Sequence, residues 1–415
     1  MESSAAVEIA KHIAQVFGYI LAIGLFSSVL AQKARIPDVA VFLLMGMLVG
    51  PQMAGWVDIS SDSAINQGIL ILGSSYILFD GGASLRLKVL SEVWITITVI
   101  STVGVLITGI ITAGAAYYIL QVPFIVALLL GAVIASTDPA TLVPVFRQVP
   151  IKDRVAQTVM SESAFNDAMG AIITFAILGV AMGSGEFSLG HALFKLVKES
   201  VVGVLTGAVF GYLIALLIAH KKYNFLAEYA SVATLMGIIA AYMIADTLHA
   251  SGFMAVFVFG IILGNKESLG FAMAHEEAEK LENYVLTTAL IMRTFIFILL
   301  GAQVDFGLMN QYLGGGLLVV LVFMLVARPV AVFLCAGPDR RAKWSRNELL
   351  FMCWTRETGV IPGALAGMLV GMKAPGAPII ASITFIAILM TILLQATTTA
   401  WLGDKLGLLV IEEEE

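Results

Sequence analysis

Apolar residues run through this chain in long unbroken stretches separated by short polar links. They do not alternate, and they do not form the one-sided stripes of surface helices. Thirteen such stretches can be drawn: 12–31, 38–56, 64–81, 91–118, 123–146, 153–182, 189–219, 226–247, 252–267, 283–303, 311–336, 347–372 and 376–402. A helix crosses a bilayer with about 20 apolar residues, the length most of these stretches reach. The expected fold is therefore an all-α integral membrane protein of about thirteen transmembrane helices. No link is long enough to separate two soluble domains. Thirteen divides as six, one and six, which suits two inverted six-helix repeats around a linker helix.

Two of the stretches carry helix breakers near their middle. The fifth contains Ser136-Thr137-Asp138-Pro139, and the twelfth contains Arg356-Glu357-Thr358-Gly359-Val360-Ile361-Pro362-Gly363. Each is fifth in its half. Proline removes a backbone donor and clashes with the preceding turn, and glycine relaxes the backbone. Helices 5 and 12 are thus expected to be discontinuous. Unwound backbone at that depth is tolerated only where it lines a cavity or is packed in protein.

Composition changes the picture in one respect. With 59% hydrophobic and 13% charged residues, the chain has too little polar surface for water and needs a lipid solvent. The polar start, Met1 to Lys11, lacks the basic stretch and cleavage site of a signal peptide, so the first span is expected to be retained. Cys335 and Cys353 sit in apolar runs, with neither a disulfide framework nor a metal spacing.

Charge placement gives an orientation. Alternate links hold Lys33 and Arg35; Arg86 and Lys88; Arg147, Lys152 and Arg154; Lys221 and Lys222; Lys266 and Lys280; and Arg340, Arg341, Lys343 and Arg346. With Lys405 these make 16 of the 23 basic residues. The opposite links hold only Lys11, Lys195, Lys198 and Lys373. The N-terminus is expected outside and the C-terminus in the cytoplasm, with the acidic end Glu412 to Glu415 solvated.

An ionisable side chain at the bilayer centre costs about 2.5–3.5 kcal/mol on insertion scales. The chain nevertheless places Asp80, Asp138, Glu162, Asp167, Arg293, Arg328, Arg356 and Glu357 within spans. In Ser161-Glu162-Ser163-Ala164-Phe165-Asn166-Asp167, the residues Glu162, Asn166, Ser163 and Asp167 fall at about 0°, 40°, 100° and 140° around the helix. They form one polar arc that faces protein or water, with Phe165 turned away. Asp138 in the fifth-helix break can balance a half-helix end or bind a cation together with freed carbonyls, such as that of Thr137. Such hard oxygen ligands suit Na+ or Li+. Arg328 is expected to clamp Glu162. Arg356 is expected to pair with Glu357 or to offset other acids of the crossing, and Arg293 to reach the interface from the inner end of helix 10.

Thr137-Asp138-Pro139 followed by Glu162-Ser163-Ala164-Phe165-Asn166-Asp167 resembles the monovalent cation:proton antiporter-1 family, in particular its archaeal and bacterial sodium/proton antiporters. Phe79-Asp80-Gly81-Gly82 resembles a Phe-Glu-Gly-Gly element of that family. The resemblance runs from Ile13 to about Leu402. It implies a homodimer in the cell membrane, with a scaffold and dimer domain of helices 1–3 and 7–10 and a transport core of helices 4–6 and 11–13. In residues, 1–90 and 183–305 are scaffold, with helix 7 as linker; 91–182 and 306–403 are core; and 404–415 is a short acidic cytoplasmic tail. It implies a cation and proton site of Asp167, Asp138, the Thr137 carbonyl and Ser163, with Glu162 nearby, holding Na+ as cargo. Asn166 then stands for the second acid of electrogenic relatives, and Arg328 braces Glu162. One departure concerns helix 12. With Gly359 and Pro362 as anchors of the family's Gly-Leu-Arg-Gly stretch, Thr358 stands at the arginine and Arg356 lies two residues earlier. The chain also stops soon after helix 13, so regulation by a long cytosolic tail is not expected.

The reading that follows is a secondary transporter exchanging Na+ or Li+ for protons, with roles in ion and pH homeostasis. A buried carboxylate holds a proton or a cation but not both. With Arg328 cancelling Glu162 and helix ends offsetting Asp138, one acid is left to exchange, so electroneutral one-for-one antiport is expected. A K+/H+ antiporter of the same fold and a passive cation channel remain open, although channel filters use rings of like groups. No catalytic residue and no cofactor is expected, because no Gly-x-Ser-x-Gly elbow, His-Glu-x-x-His helix or phosphate loop occurs. The histidines His12, His191, His220, His249 and His275 sit near span ends or in links. His249, beside Asp246 and Ser251, is expected at the interface, with pH sensing as its alternative.

Overall fold

The computed structural model of the protein describes residues 5–34, 36–61, 63–183 and 189–410. Arg35 and Glu412 to Glu415 lie outside the described residues, as do the side chains of Arg147, His191 and Lys195. The helices are α1 Ala5–Ala34, α2 Asp38–Val49, α3 Ala64–Ala83, α4 Leu87–Leu120, α5 Phe124–Ile134, α6 Pro139–Gln148, α7 Asp153–Ala181 and α8 Leu189–Ala219. They continue with α9 Ala230–Thr247, α10 Gly252–Gly264, α11 His275–Ala302, α12 Phe306–Cys335, α13 Arg346–Trp354, α14 Val360–Gly371 and α15 Ala377–Lys405. Each of the thirteen apolar stretches contains helix, though the second, 38–56, is helical only over Asp38–Val49. Among the described residues, eight helices are long and apolar enough to cross a membrane, and α2, α5, α10 and α14 are shorter apolar helices.

Both expected breaks are present. The fifth stretch is split into α5 and α6 by residues 135–138, and the twelfth into α13 and α14 by residues 355–359. A second correspondence between the halves was not legible in the sequence. α4 contains a π-helical turn at Ile100–Gly104, and α12 contains one at Phe323–Ala327. These are the fourth stretch of each half, as inverted repeats require. A third π turn, Thr391–Ala396, lies in α15. Such turns shift the register of the side chains beyond them, and Arg328 follows the second one directly.

The apolar side chains fall into packed clusters. One joins α4, α5, α7, α12, α14 and α15. Another joins α3, α8, α9, α10 and α11. Large apolar residues such as Phe26 (74% exposed) and Phe194 face outward, as a lipid solvent favours. α3 and α10 meet backbone to backbone. A Cβ on Gly82 would strike the Phe257 carbonyl, and one on Gly260 the Phe79 carbonyl. Small residues allow this approach where hydrophobic burial cannot drive helices together.

Arg293 departs from its expected place. It does not reach for the interface; one guanidinium nitrogen lies 3.3 Å from Asp38 Oδ2, tying α11 to the start of α2, with both side chains about nine-tenths buried. The chain's end is tied down too. Ile151 and Leu409 form an antiparallel bridge, and the Val410 amide donates to the Pro150 carbonyl at 2.8 Å, fastening the link between α6 and α7.

Candidate functional site

The two breaks meet, and each supplies charge to the other's half-helices. The Asp138 amide donates to the Glu357 carbonyl at 2.9 Å. Asp138 Oδ2 accepts the Val360 amide at 2.7 Å, so this carboxylate caps the N-terminus of α14 from across the crossing. Its backbone carbonyl accepts from Thr141 and Leu142 at the start of α6. In return, the Arg356 guanidinium donates to the Ala135 carbonyl at the C-terminal end of α5 and stacks over the Phe323 ring, 4.9 Å from its centroid. Arg328 Nε donates to the Met352 carbonyl near the end of α13 at 3.0 Å. Anions at helix N-termini and cations at C-termini are the pairings the macrodipole favours. Gly359 permits the contact, because a Cβ there would run into the Asp138 carboxylate.

The polar arc of α7 is wholly buried: Glu162, Ser163, Asn166 and Asp167 are each 2% exposed or less. Arg328 holds Glu162 through a two-pronged bond, 2.5 Å from Nη1 to Oε1 and 2.8 Å from Nη2 to Oε2. Asn166 Oδ1 accepts the Thr137 amide at 2.9 Å, and its Nδ2 donates to the Thr137 hydroxyl at 2.7 Å. It thereby fixes the unwound segment next to Asp138. Phe165 turns away and packs edge-on against Phe257 of α10.

Asp167 is different. Neither of its oxygens has a hydrogen-bond partner of good geometry among the described residues, although the Ser136 hydroxyl lies near enough to bear on it, as does the charge of Asp138. The residue also lines a cavity of about 590 Å³. The cavity is lined by Ala171, Ile172 and Phe175 of α7, by Val360, Ile361, Ala364, Leu365 and Met368 of α14, and by Leu70, Ser74, Tyr242 and Phe253. Glu199, Asp246 and His249 stand along the same cavity. An unpartnered carboxylate reached by such a passage can take up either a proton or a dehydrated cation.

The structure thus ties Asn166 to Thr137, Asp138 to the α14 half-helix, and Glu162 to Arg328, three separate hydrogen-bonded groups around the crossing. Ser163 sits one turn before Asp167 on α7, its hydroxyl without a partner among the described residues. Arg356 and Glu357 do not pair. The arginine is committed to Ala135, and both Glu357 oxygens lack a donor among the described residues. Neighbours in sequence do not face each other, and the broken backbone sends the two side chains apart. Sequence reasoning missed the Val360 amide as Asp138's partner and Thr391, whose hydroxyl accepts the Thr358 amide at 3.0 Å. A glycine inside a helix breaker signalled the first; nothing in the pattern signalled the second.

Comparison with known proteins follows this geometry. A protein with the name Na(+)/H(+) antiporter 1 from Methanocaldococcus jannaschii is 31% identical over 420 residues, covering 94% of each chain. The K(+)/H(+) antiporter NhaP of Alkalimonas amylolytica is 26% identical over 408 residues, covering 96% of this chain and 67% of its own. The electron-microscopy structure of the sodium proton antiporter MjNhaP1 from Methanocaldococcus jannaschii superposes with a TM-score of 0.79 at 29% identity, covering 100% of both chains. Residues 19–405 match the family described as sodium/hydrogen exchanger, transmembrane, and the chain belongs to that family.

Proposed function

We infer that this protein exchanges Na+ or Li+ for protons across the cell membrane, one for one, by alternating access. The observation that carries this is the unpartnered Asp167 carboxylate at the edge of a cavity beside two crossed, broken helices. Asp167 takes the proton or the cation. Asp138, the Thr137 carbonyl and Ser163 complete the oxygen shell of the cation, while Glu162 with Arg328, and Asn166, hold that shell in shape. Arg356 and Glu357 complete the crossing. No cofactor takes part.

With thirteen crossings and the basic links on the inner side, the N-terminus lies outside and the C-terminus in the cytoplasm. The cavity then opens outward, beside the link at residues 248–251. Helices α4–α7 and α12–α15 form the moving core, and α1–α3 with α8–α11 the scaffold, through which two copies pair. That both groups line the cavity supports this. Access changes sides when the core shifts against the scaffold.

The cation is the open point, since a relative named for K+ stands beside those named for Na+. Proteoliposomes with a pH-sensitive dye and an imposed pH gradient test both. Addition of Na+ or Li+ restores the dye signal in wild type and fails to do so in Asp167→Asn. A K+ response of equal size reassigns the protein to K+/H+ exchange. Absence of any response returns it to the channel reading, which steady current in a planar bilayer would favour.

A further inference from the structure

The links on the inner side do not share one charge. The link at 265–283 is acidic, with Glu267, Glu276, Glu277, Glu279 and Glu282 against Lys266 and Lys280. The link between α12 and α13 is the opposite. Arg340, Arg341, Lys343 and Arg346 are exposed, and none of them forms an ion pair among the described residues. The two acids of this stretch, Asp339 and Glu348, are buried and occupied. Asp339 Oδ2 accepts the Thr96 hydroxyl at 2.6 Å, and its Oδ1 accepts the Arg341 and Ala342 amides at 2.9 and 3.1 Å. Glu348 Oε2 accepts the Ser345 amide at 2.8 Å, while its Oε1 lies 3.4 Å from Arg154 Nε. The Ser345 hydroxyl accepts the Glu348 amide in return, which closes a capping box. The negative charge is thus consumed inside, and only positive charge is left outside.

The link is also held in one shape. The Lys343 amide donates to the Asp339 carbonyl at 3.1 Å, and Lys343 ends the turn in the left-handed conformation at φ 49°. Trp344 Nε1 donates to the Thr96 hydroxyl at 2.8 Å. A fixed backbone leaves only side chains to be ordered when a ligand binds. Just before the link, the last turns of α12 expose Phe333 and Leu334. Lipid-facing apolar surface therefore runs straight into a cluster of free cations. This is the profile of an anionic phospholipid, whose chains lie along an apolar helix and whose phosphate sits at the interface. Three of the four cations are arginines, and a guanidinium fork grips two phosphate oxygens at once. The general preference for basic residues inside explains the sign of this charge. It does not explain why the charge gathers here while 265–283 is acidic.

We propose that the 336–346 link binds the headgroups of anionic phospholipids and fastens the core to the inner leaflet. The sidedness rests on the orientation given above; the site itself is independent of the exchange mechanism. The test heats purified protein in detergent with dioctanoyl phosphatidylglycerol, dioctanoyl phosphatidylcholine or inorganic phosphate. Native mass spectrometry counts the lipid retained. Phosphatidylglycerol should raise the melting temperature and stay bound, and the other two at equal concentration should do neither. The fourfold variant Arg340→Gln, Arg341→Gln, Lys343→Gln and Arg346→Gln should lose most of the shift and of the retained lipid. It removes no group that holds Asp339 or Glu348, because backbone amides of this link serve them. Lys266→Gln with Lys280→Gln should keep the whole shift. Where the fourfold variant does not fold, Arg340→Gln with Arg341→Gln should still lose part of it. An equal rise with phosphatidylcholine, or an undiminished rise in the link variants, would overturn the proposal. A rise with inorganic phosphate equal to that with phosphatidylglycerol would overturn the lipid as its occupant.

Discussion

Asp138 serves two helices at once and, in the proposed exchange, one ion. It caps α14 through the Val360 amide, opens α6 through its backbone, and bears on Asp167 through its charge. Such crowding depends on Gly359, where even a methyl group meets the carboxylate. Gly359→Ala should therefore lose exchange while remaining folded, read as a monodisperse protein inactive in proteoliposomes. Glu162 and Arg328 obey different energetics. Removing one member of a buried ion pair strands the other, at a cost of about 3–5 kcal/mol, whereas removing both together costs far less. Thermal unfolding in detergent should show Glu162→Gln strongly destabilised and Glu162→Gln with Arg328→Met much less so. Equal losses in the two would contradict the clamp. Glu162 and Arg328 were legible because a buried acid needs a cation and each was conspicuous in an apolar run. Arg293 was misread because its partner, Asp38, lies 255 residues away, and a hydrophobicity pattern carries no pairing at that range.

Half-helices gain their precision from being stapled at both ends. On the side of the 336–345 link, the Thr96 hydroxyl donates to Asp339 at 2.6 Å and accepts from Trp344 Nε1 at 2.8 Å. Arg154 stacks on Trp344, 4.3 Å from its centroid, and reaches Glu348 and the Ala342 carbonyl. This clasp binds α4, α7 and α13 into one body beneath the site. Burial pushes the Asp339 carboxyl up, but the Thr96 hydroxyl and the Ala342 and Arg341 amides outweigh it and hold the group below the usual carboxylate range. A depressed value means stability that is present above the ordinary carboxylate pKa and is lost as pH falls through the lowered one. Asp339→Asn should therefore lower the melting temperature at neutral pH and flatten its decline on acidification. An acid limb identical to wild type would count against the clasp. At this scale the breaks were readable, since proline and glycine act locally. The π turns were not, because they arise from packing between helices and leave no fixed mark in composition.

At the scale of the whole molecule, the cavity has walls from both groups of helices, Ser74 from α3 and Ala364 from α14. If the core moves against the scaffold, joining these walls should stop transport. Ser74→Cys with Ala364→Cys, bridged by a bifunctional thiol reagent with a reducible spacer, should lose exchange and regain it on reduction. The two native cysteines are buried and stand apart from this test. Full activity in the bridged protein would refute movement across this cavity. The fold as a set of apolar rods was written plainly in the sequence; the proposed division into core and scaffold was not, because both groups are equally apolar. The central claim is that proton and cation compete for Asp167. The most direct test is the KM for Na+ as a function of pH in proteoliposomes. Competition predicts a KM that rises as pH falls while the maximal rate stays constant; a falling maximal rate at unchanged KM would contradict it.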